Sequence, residues 1–375
     1  MKKTLNIVSL NIPYPANYGG VIDIFYRMKT LAELGVEIIF HTFEYGRPHA
    51  KELEQYCKEV HYYKRNTGWR TQCTYLPYIV YSRKNKELIA RLQENNHPIL
   101  FEGLHTCYYI DDSRLRNRLK LVRMHNIEHD YYQGLARNSA PCLQKLYFAF
   151  EALRLRFFER KLNHADCILS ISTTDTSYFK SVYGTDKVKF LPAFHPNNQV
   201  CISDSYKRYV LYQGDLSSPE NIRNAIFLIK EVAAKDLSIP WVIAGLNPVP
   251  EIYQAAQTVA NVTVKDNLSH EEMTQLLQEA LINILYTNQA SGMKLKLLNA
   301  VYNSHYCVAN AKMLAGSGLE KVCVICPDDA DGVLQTIRQY INKDFPLTAK
   351  AQREELLMET TDNKENAKKL EELLS

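Results

Sequence analysis

Short apolar runs alternate with longer stretches of apolar residues at helical spacing along most of the chain. Residues 5–10 form a nearly continuous apolar run. A loop over 11–20 follows, then helical spacing over 21–34 with Gly35 as its stop, then a second run at 36–42. This β–loop–α–β order predicts an α/β protein with a doubly wound parallel sheet. Further strands are expected at 98–101, 119–124, 167–171 and 188–190, and helices at 86–95, 142–163 and 174–182. A second cycle begins beyond the Pro- and Asn-rich stretch 191–198. Its expected strands are 209–213, 241–244, 262–264, 282–285 and 306–309, and its expected helices 220–233, 271–280 and 293–303. The pattern therefore predicts a Rossmann-like domain over 1–195, a linker over 196–207, a second Rossmann-like domain over 208–345, and a charged, solvated helix over 346–375. Open sheets of this kind bind ligands beyond the carboxyl ends of their strands, and two of them joined in tandem are expected to face a cleft.

Composition narrows the class. Lys2 and Lys3 before an apolar run mimic a signal peptide, but Asn6, Asn11 and Pro13 interrupt it, so a buried first strand is expected. No apolar stretch approaches the roughly 18 residues of a membrane span. The nine cysteines are odd in number and unframed, as expected of reduced thiols in a cytoplasmic protein. Cys323 and Cys326 lack the second pair that zinc requires and read as part of a strand, so no metal site is expected. Twenty-five tyrosines against two tryptophans point to half-wet grooves. Charge is uneven: residues 1–190 carry 28 Lys and Arg against 19 Asp and Glu, the remainder 17 against 22. A basic N-terminal half suits a phosphate-bearing lipid or the anionic inner face of the plasma membrane. No nucleic-acid-binding motif accompanies it. The basic, aromatic segment 144–163 has two readings, a helix lying on an anionic membrane or a helix packed on the sheet with a basic outer face.

Four loops after strands carry the candidate chemistry. In the first, Gly19 and Gly20 either free helix amides for an anion or form a turn that merely starts a helix; the sequence is not a dinucleotide fingerprint. The second, Arg123-Met-His125-Asn-Ile-Glu128, places an imidazole at a strand end, where it reads as a donor or base to a substrate or as a structural histidine. The third combines Gly214, Ser217 and Ser218 ahead of Pro219; it reads as a phosphate cradle or as a plain N-cap by Ser218. The fourth is Ser291-Gly292-Met-Lys294-Leu-Lys296. A lysine in the first turn of a helix opposes the dipole unless an anion sits there, so Lys294 reads as the partner of a bound diphosphate or as a plain surface lysine. Lys296, two positions on, is expected on another face. The acidic run Asp328-Asp329-Ala-Asp331 reads as a helix start rather than a metal site.

Together these segments resemble the GT-B glycosyltransferases, specifically the family 4-like group of bacteria. The resemblance runs over about residues 4–335. It is carried by Pro13-Tyr-Pro with Gly19-Gly20, Arg123-Met-His-Asn-Ile-Glu, Phe158-Glu-Arg with Ala165-Asp-Cys-Ile-Leu-Ser, Tyr212-Gln-Gly-Asp-Leu, Val242-Ile-Ala-Gly and Gly292-Met-Lys-Leu-Lys-Leu-Leu-Asn-Ala. It implies transfer of a sugar from a nucleotide-diphosphate sugar to a glycan or lipid-linked acceptor in polysaccharide biosynthesis, with retention and with neither metal nor cofactor. The donor would meet Gly19, Gly20, Gly214, Ser217, Gly245, Ser291, Gly292 and Asn299. His125 would sit near the transferred sugar, Lys294 near the diphosphate, and Tyr14, Asn17, Arg123 and Glu128 on the acceptor side. Two departures stand out. Glu220-Asn221 replaces the family's basic residue, and its paired glutamates fall at Ser291 and Asn299. These departures motivate a second reading, a non-catalytic relative that binds nucleotide or glycan or supports a partner enzyme. A sugar epimerase of the same fold is a third.

Overall fold

The computed structural model describes residues 2–138, 142–288 and 295–374. They divide into two compact units. The first runs to Pro196 and takes up the chain again from Thr361; the second holds the residues between.

The first unit is built on seven parallel strands: β1 (Thr4–Ser9), β2 (Glu37–Glu44), β3 (Glu59–Lys64), β4 (Ile99–Glu102), β5 (Lys120–Met124), β6 (Cys167–Ser170) and β7 (Val188–Phe190). Their order is β3-β2-β1-β4-β5-β6-β7. β1 pairs with β2 through Ile7 and Phe40 and with β4 through Ile7 and Leu100, so the strand order reverses on either side of it. Alternate residues feed two cores. Ile7, Leu100 and Leu121 join the helix Gly19–Glu33, while Val8, Phe101 and Val122 join Leu155 and Phe158 of the helix Cys142–Glu159. Burial on both faces explains why these strands read as unbroken apolar runs. β3 escaped the sequence pattern because it is an edge strand, largely half-exposed, with charged residues at both ends.

The second unit has six parallel strands: β8 (Lys207–Asp215), β9 (Trp241–Leu246), β10 (Val262–Asp266), β11 (Ala280–Leu285), β12 (Tyr306–Asn310) and β13 (Val324–Cys326). The order β10-β9-β8-β11-β12-β13 reverses between β8 and β11. The helix expected over 220–233 begins as α-helix at Pro219–Phe227 and continues as a π turn, Leu228–Val232.

The end of the chain corrects the expectation of one solvated helix. It forms two, Leu347–Thr361 and Asn363–Glu372. Ala367 and Leu370 of the last helix, with Leu374 beyond it, are buried against Ile24, Met28 and Leu31 in a core of the first unit. Asn363 fixes the join, donating from Nδ2 to the His195 carbonyl at 2.7 Å. Cys326 ends β13, and burial pushes its thiol up to about 12. Asp329 caps the helix Ala330–Ile341 by accepting from Gly332 N–H at 2.8 Å, as the acidic run suggested. No described helix is long and apolar enough to cross a membrane.

Candidate functional site

In the second unit, two predicted glycines meet at the carboxyl ends of adjacent strands. Gly214 on β8 pairs with Gly245 on β9. A Cβ on Gly245 would stand 1.8 Å from the Gly214 carbonyl oxygen, and one on Gly214 would press on Asn221 at 3.1 Å. The backbones thus approach as only glycine allows. Beyond them, Asp215 folds the loop by accepting from Ser217 N–H at 3.0 Å and from its hydroxyl at 2.7 Å. Ser218 occupies the N-cap of Pro219–Phe227, but its side chain makes no capping bond, against the plain N-cap reading. Gln213 Nε2, one residue before Gly214, is buried with no hydrogen-bond partner among the described residues. The acceptor for such a donor is left to a ligand or a water.

Among the described residues, a cation reaches this loop from a residue that helical spacing had placed on another face. Lys296, on the helix Leu295–Asn303, places Nζ 3.3 Å from Asn221 Oδ1 and 5.4 Å from the Tyr212 ring centroid. Asn221 in turn donates to the Asp215 carbonyl at 2.9 Å. Glu220, at the charge reversal, accepts from the Thr287 hydroxyl, two residues beyond β11. Asn299 is half-buried, and its side-chain oxygen accepts from Asn303 Nδ2 at 3.1 Å. Ser291, Gly292 and Lys294 lie outside the described residues.

In the first unit, the loop after β1 and the ends of β4 and β5 gather the remaining predictions. Tyr18 precedes the helix Gly19–Glu33 with no side-chain cap, and the first turn carries no acidic residue. A Cβ on Gly20 would meet only Tyr18, at 3.9 Å, so this glycine leaves open space and relieves no strain. Tyr14 packs on Phe25 with ring centroids 5.6 Å apart. Asn17 accepts from Arg47 at 2.9 Å, which ties down the loop.

Arg123 does not reach an acceptor. It is fully buried. Its Nη2 donates to Asp23 at 3.0 Å and to the Pro192 carbonyl at 2.9 Å, its Nε to Asp23 at 3.1 Å, and its Nη1 to the Leu191 carbonyl. Asp23 also pairs with Arg27 at 2.6 Å, and Arg27 with Glu102. Burial alone would raise the Asp23 carboxyl, but Arg123 and Arg27 outweigh it and hold it well below the carboxylate range. Asp23, Glu102 and His125 bring ligand-type atoms within 4.8 Å of one another. Two guanidinium groups already neutralise both carboxylates, so these residues do not fit a divalent cation.

This buried lattice holds His125 in place. Its Nε2 lies 3.3 Å from Glu102 Oε2. Glu102 is ion-paired to Arg27 and accepts, which places a ring proton on Nε2 and turns the Nδ1 edge away from Glu102. Gly103, at φ +68, turns the chain under the ring: its Cβ would meet His105 at 3.0 Å and His125 at 3.6 Å.

The segment after His125, expected as a loop, enters the helix Glu128–Asn138. Glu128 is buried at its first turn, 3.9 Å from His105 Nδ1. Burial, reinforced by the charges of Glu159 and Asp175, pushes its carboxyl up to about 8. Burial also holds His105 well below the ordinary imidazole range, and Arg83 and His125 add to that effect. His105 Nδ1 has no hydrogen-bond partner among the described residues. Arg83 is itself buried and donates to the Leu10 and Ile79 carbonyls at 3.0 and 2.5 Å. Sequence reasoning missed Arg83, His105 and Gly103. A basic residue preceding a lysine, and a Gly-x-His after a four-residue strand, carry no motif by themselves.

Comparison with known proteins places the architecture. No protein-family model matches the chain. A Klebsiella pneumoniae protein described as an uncharacterized 44.6 kDa protein in a cps region is 27% identical over 329 residues, covering 83% of this chain and 84% of its own. Among solved structures, sucrose-phosphate synthase from Thermosynechococcus elongatus superposes with a TM-score of 0.68 at 14% identity, over 99% of this chain and 98% of that one. Anabaena HepE in complex with UDP and glucose gives 0.67 at 12%, over 99% of each chain. Two doubly wound parallel sheets of seven and six strands, shared with these glycosyltransferase-type structures over nearly their whole length, define the GT-B fold.

Proposed function

We propose that the chain is a glycosyltransferase that moves a sugar from a nucleotide-diphosphate sugar to a glycan or lipid-linked acceptor, with retention and without an essential metal. The observation that carries this reading is the Gly214–Gly245 contact with Lys296 and the open Ser218 helix start beside it. The close backbone approach gives a phosphate access to helix amides, and lysine charge answers the charge that develops on the leaving diphosphate. In this reading Lys296 acts with Lys294, and Asn299 meets the ribose through hydrogen bonds in place of a glutamate. His125 turns its ring to the transferred sugar or its acceptor, and the tyrosine-bearing loop after β1 lines the acceptor side. A relative from a cps region is in keeping with polysaccharide biosynthesis. The UDP held by Anabaena HepE makes uridine diphosphate the first nucleotide to try.

The test is a thermal-shift panel with UDP, GDP, ADP, CMP and dTDP on wild type, Lys294→Ala and Lys296→Ala. A ligand at a hundred times its Kd stabilises by about 2.7 kcal/mol. One nucleotide that stabilises wild type and loses its effect in the lysine variants identifies the donor. Stabilisation without sugar transfer to any acceptor selects the non-catalytic reading, for which the missing glutamates are the motive. Release of free nucleotide and an altered sugar with no acceptor selects the epimerase.

A further inference from the structure

We propose that the outward face of the helix Cys142–Glu159 docks the protein on an anionic membrane surface. This surface is distinct from the candidate sugar-transfer site and does not depend on that reading. The helix carries two apolar faces. Ala152, Leu155 and Phe158 point into the first unit and are buried. Leu143, Leu146, Phe150, Leu153 and Phe157 point the other way and are 83, 61, 53, 50 and 59% exposed. At 3.6 residues per turn these five fall within an arc of about 80°, roughly opposite the core face. Exposed apolar residues scattered singly are ordinary, but five on one stripe are not. Packing on the sheet accounts for one face and leaves the other unexplained.

The charges around the stripe select its occupant. Exposed Lys145, Arg156 and Arg160 border it. Arg160 lies over the Phe157 ring at 5.4 Å, and Arg154 over Phe150 at 4.1 Å. The only acidic residues of the helix are Glu151 and Glu159, and both are buried and engaged. Glu151 accepts from Arg154 and from the Tyr78 amide, and Glu159 from Tyr178, with His129 beside it. The outward face is therefore apolar and cationic, with no anion of its own. A second copy of the same face would bring like charges together, whereas a layer of anionic headgroups over acyl chains satisfies both features. Trp69 and Tyr75 extend the surface; they are 72 and 86% exposed, and their segment adjoins the helix where Arg154 donates to the Gln72 carbonyl at 3.2 Å. Amphipathic rings of this kind settle at the headgroup level.

Vesicle flotation with the full chain tests the proposal. The probes are pure phosphatidylcholine vesicles and vesicles that also contain phosphatidylglycerol. Wild type is expected to float with the anionic vesicles, to stay behind with the neutral ones, and to bind less at high salt. Lys145→Ala with Arg156→Ala is expected to weaken binding about 25-fold, at about five-fold per basic residue. Phe150→Glu with Phe157→Glu is expected to weaken it about a hundred-fold or more. Both pairs are exposed, so an unchanged thermal midpoint shows that each variant is folded. Absence of wild-type binding to anionic vesicles overturns the proposal, as does binding that the Phe150/Phe157 variant retains. A wild-type dimer that this variant dissociates, with no vesicle binding, would assign the stripe to self-association instead.

Discussion

A Cβ on Gly245 would lie 1.8 Å from the carbonyl oxygen of Gly214, well inside van der Waals contact. The ends of β8 and β9 therefore close only with glycine at this position. Gly245→Ala is expected to cost about 3 kcal/mol or more, because a strand backbone must move and no side chain can yield. A urea midpoint close to wild type would show that the strands can part. Gly20→Ala is the contrast. Its Cβ has room, so folding is expected to be unchanged or stabilised by about 0.5 kcal/mol. A folded Gly20→Ala variant with weakened nucleotide binding would show that the space serves a ligand.

Lys296 stands beside Asn221 at the loop after Gly214. Lys296→Met, which keeps the stem and removes the charge, is expected to lower transfer by about 10²-fold with little change in stability. Single-turnover rates check this. Near-normal turnover would remove Lys296 from the donor site.

The Asp23–Arg123 pair is closed to solvent on both sides. Arg123→Met leaves a buried carboxylate opposite Arg27 alone and is expected to cost about 3–5 kcal/mol. A loss of thermal midpoint would confirm a structural role. A variant of wild-type stability with a raised KM for acceptor would restore the contact expected from the sequence.

Glu128 gives a pH signature. Its folded carboxyl titrates near 8, against an ordinary value of 4.5. Between these values the folded state holds a proton that the unfolded state has lost, so this group makes stability fall as pH rises from about 4.5 to 8. The penalty is absent below that window and complete above it, where it amounts to a few kcal/mol. Glu128→Gln should flatten the slope and be the more stable protein at pH 9. Chemical denaturation at pH 5, 7 and 9 checks this, and parallel curves for the two proteins would refute it.

Leu370 is fully buried beside the helix Gly19–Glu33. Leu370→Ala is expected to cost about 2–5 kcal/mol of first-unit stability. Lys364→Ala, on the same last helix, should cost almost nothing. Equal midpoints for the two variants would mean that the last helix is not part of that core.

The inner strands of both sheets were legible because burial on two faces leaves little choice but Val, Ile, Leu and Phe, whereas the half-exposed edge strand β3 was not. The strand-end glycines were legible because close backbone approach admits no substitute. Arg123 misled because a cation at a strand end looks the same whether it faces a ligand or an aspartate; its partner, Asp23, is a hundred residues away. Lys296 was discounted by its spacing from Lys294 in the sequence, whereas its place depends on Asn221, 75 residues earlier. The last helix was hidden by composition: Ala367 and Leu370 are two apolar residues in a segment otherwise rich in Lys and Glu. In each case the missing information was a non-local contact.

The core that holds Ile24, Met28 and Leu31 also holds Ala367, Leu370 and Leu374. A ribosome making this chain must therefore release every strand of the second sheet before the first sheet receives its last piece of cover. Until then the helix Gly19–Glu33 has apolar surface in water. A nascent chain stalled short of residue 367 would expose a sticky, nearly finished unit of the kind that chaperones retain.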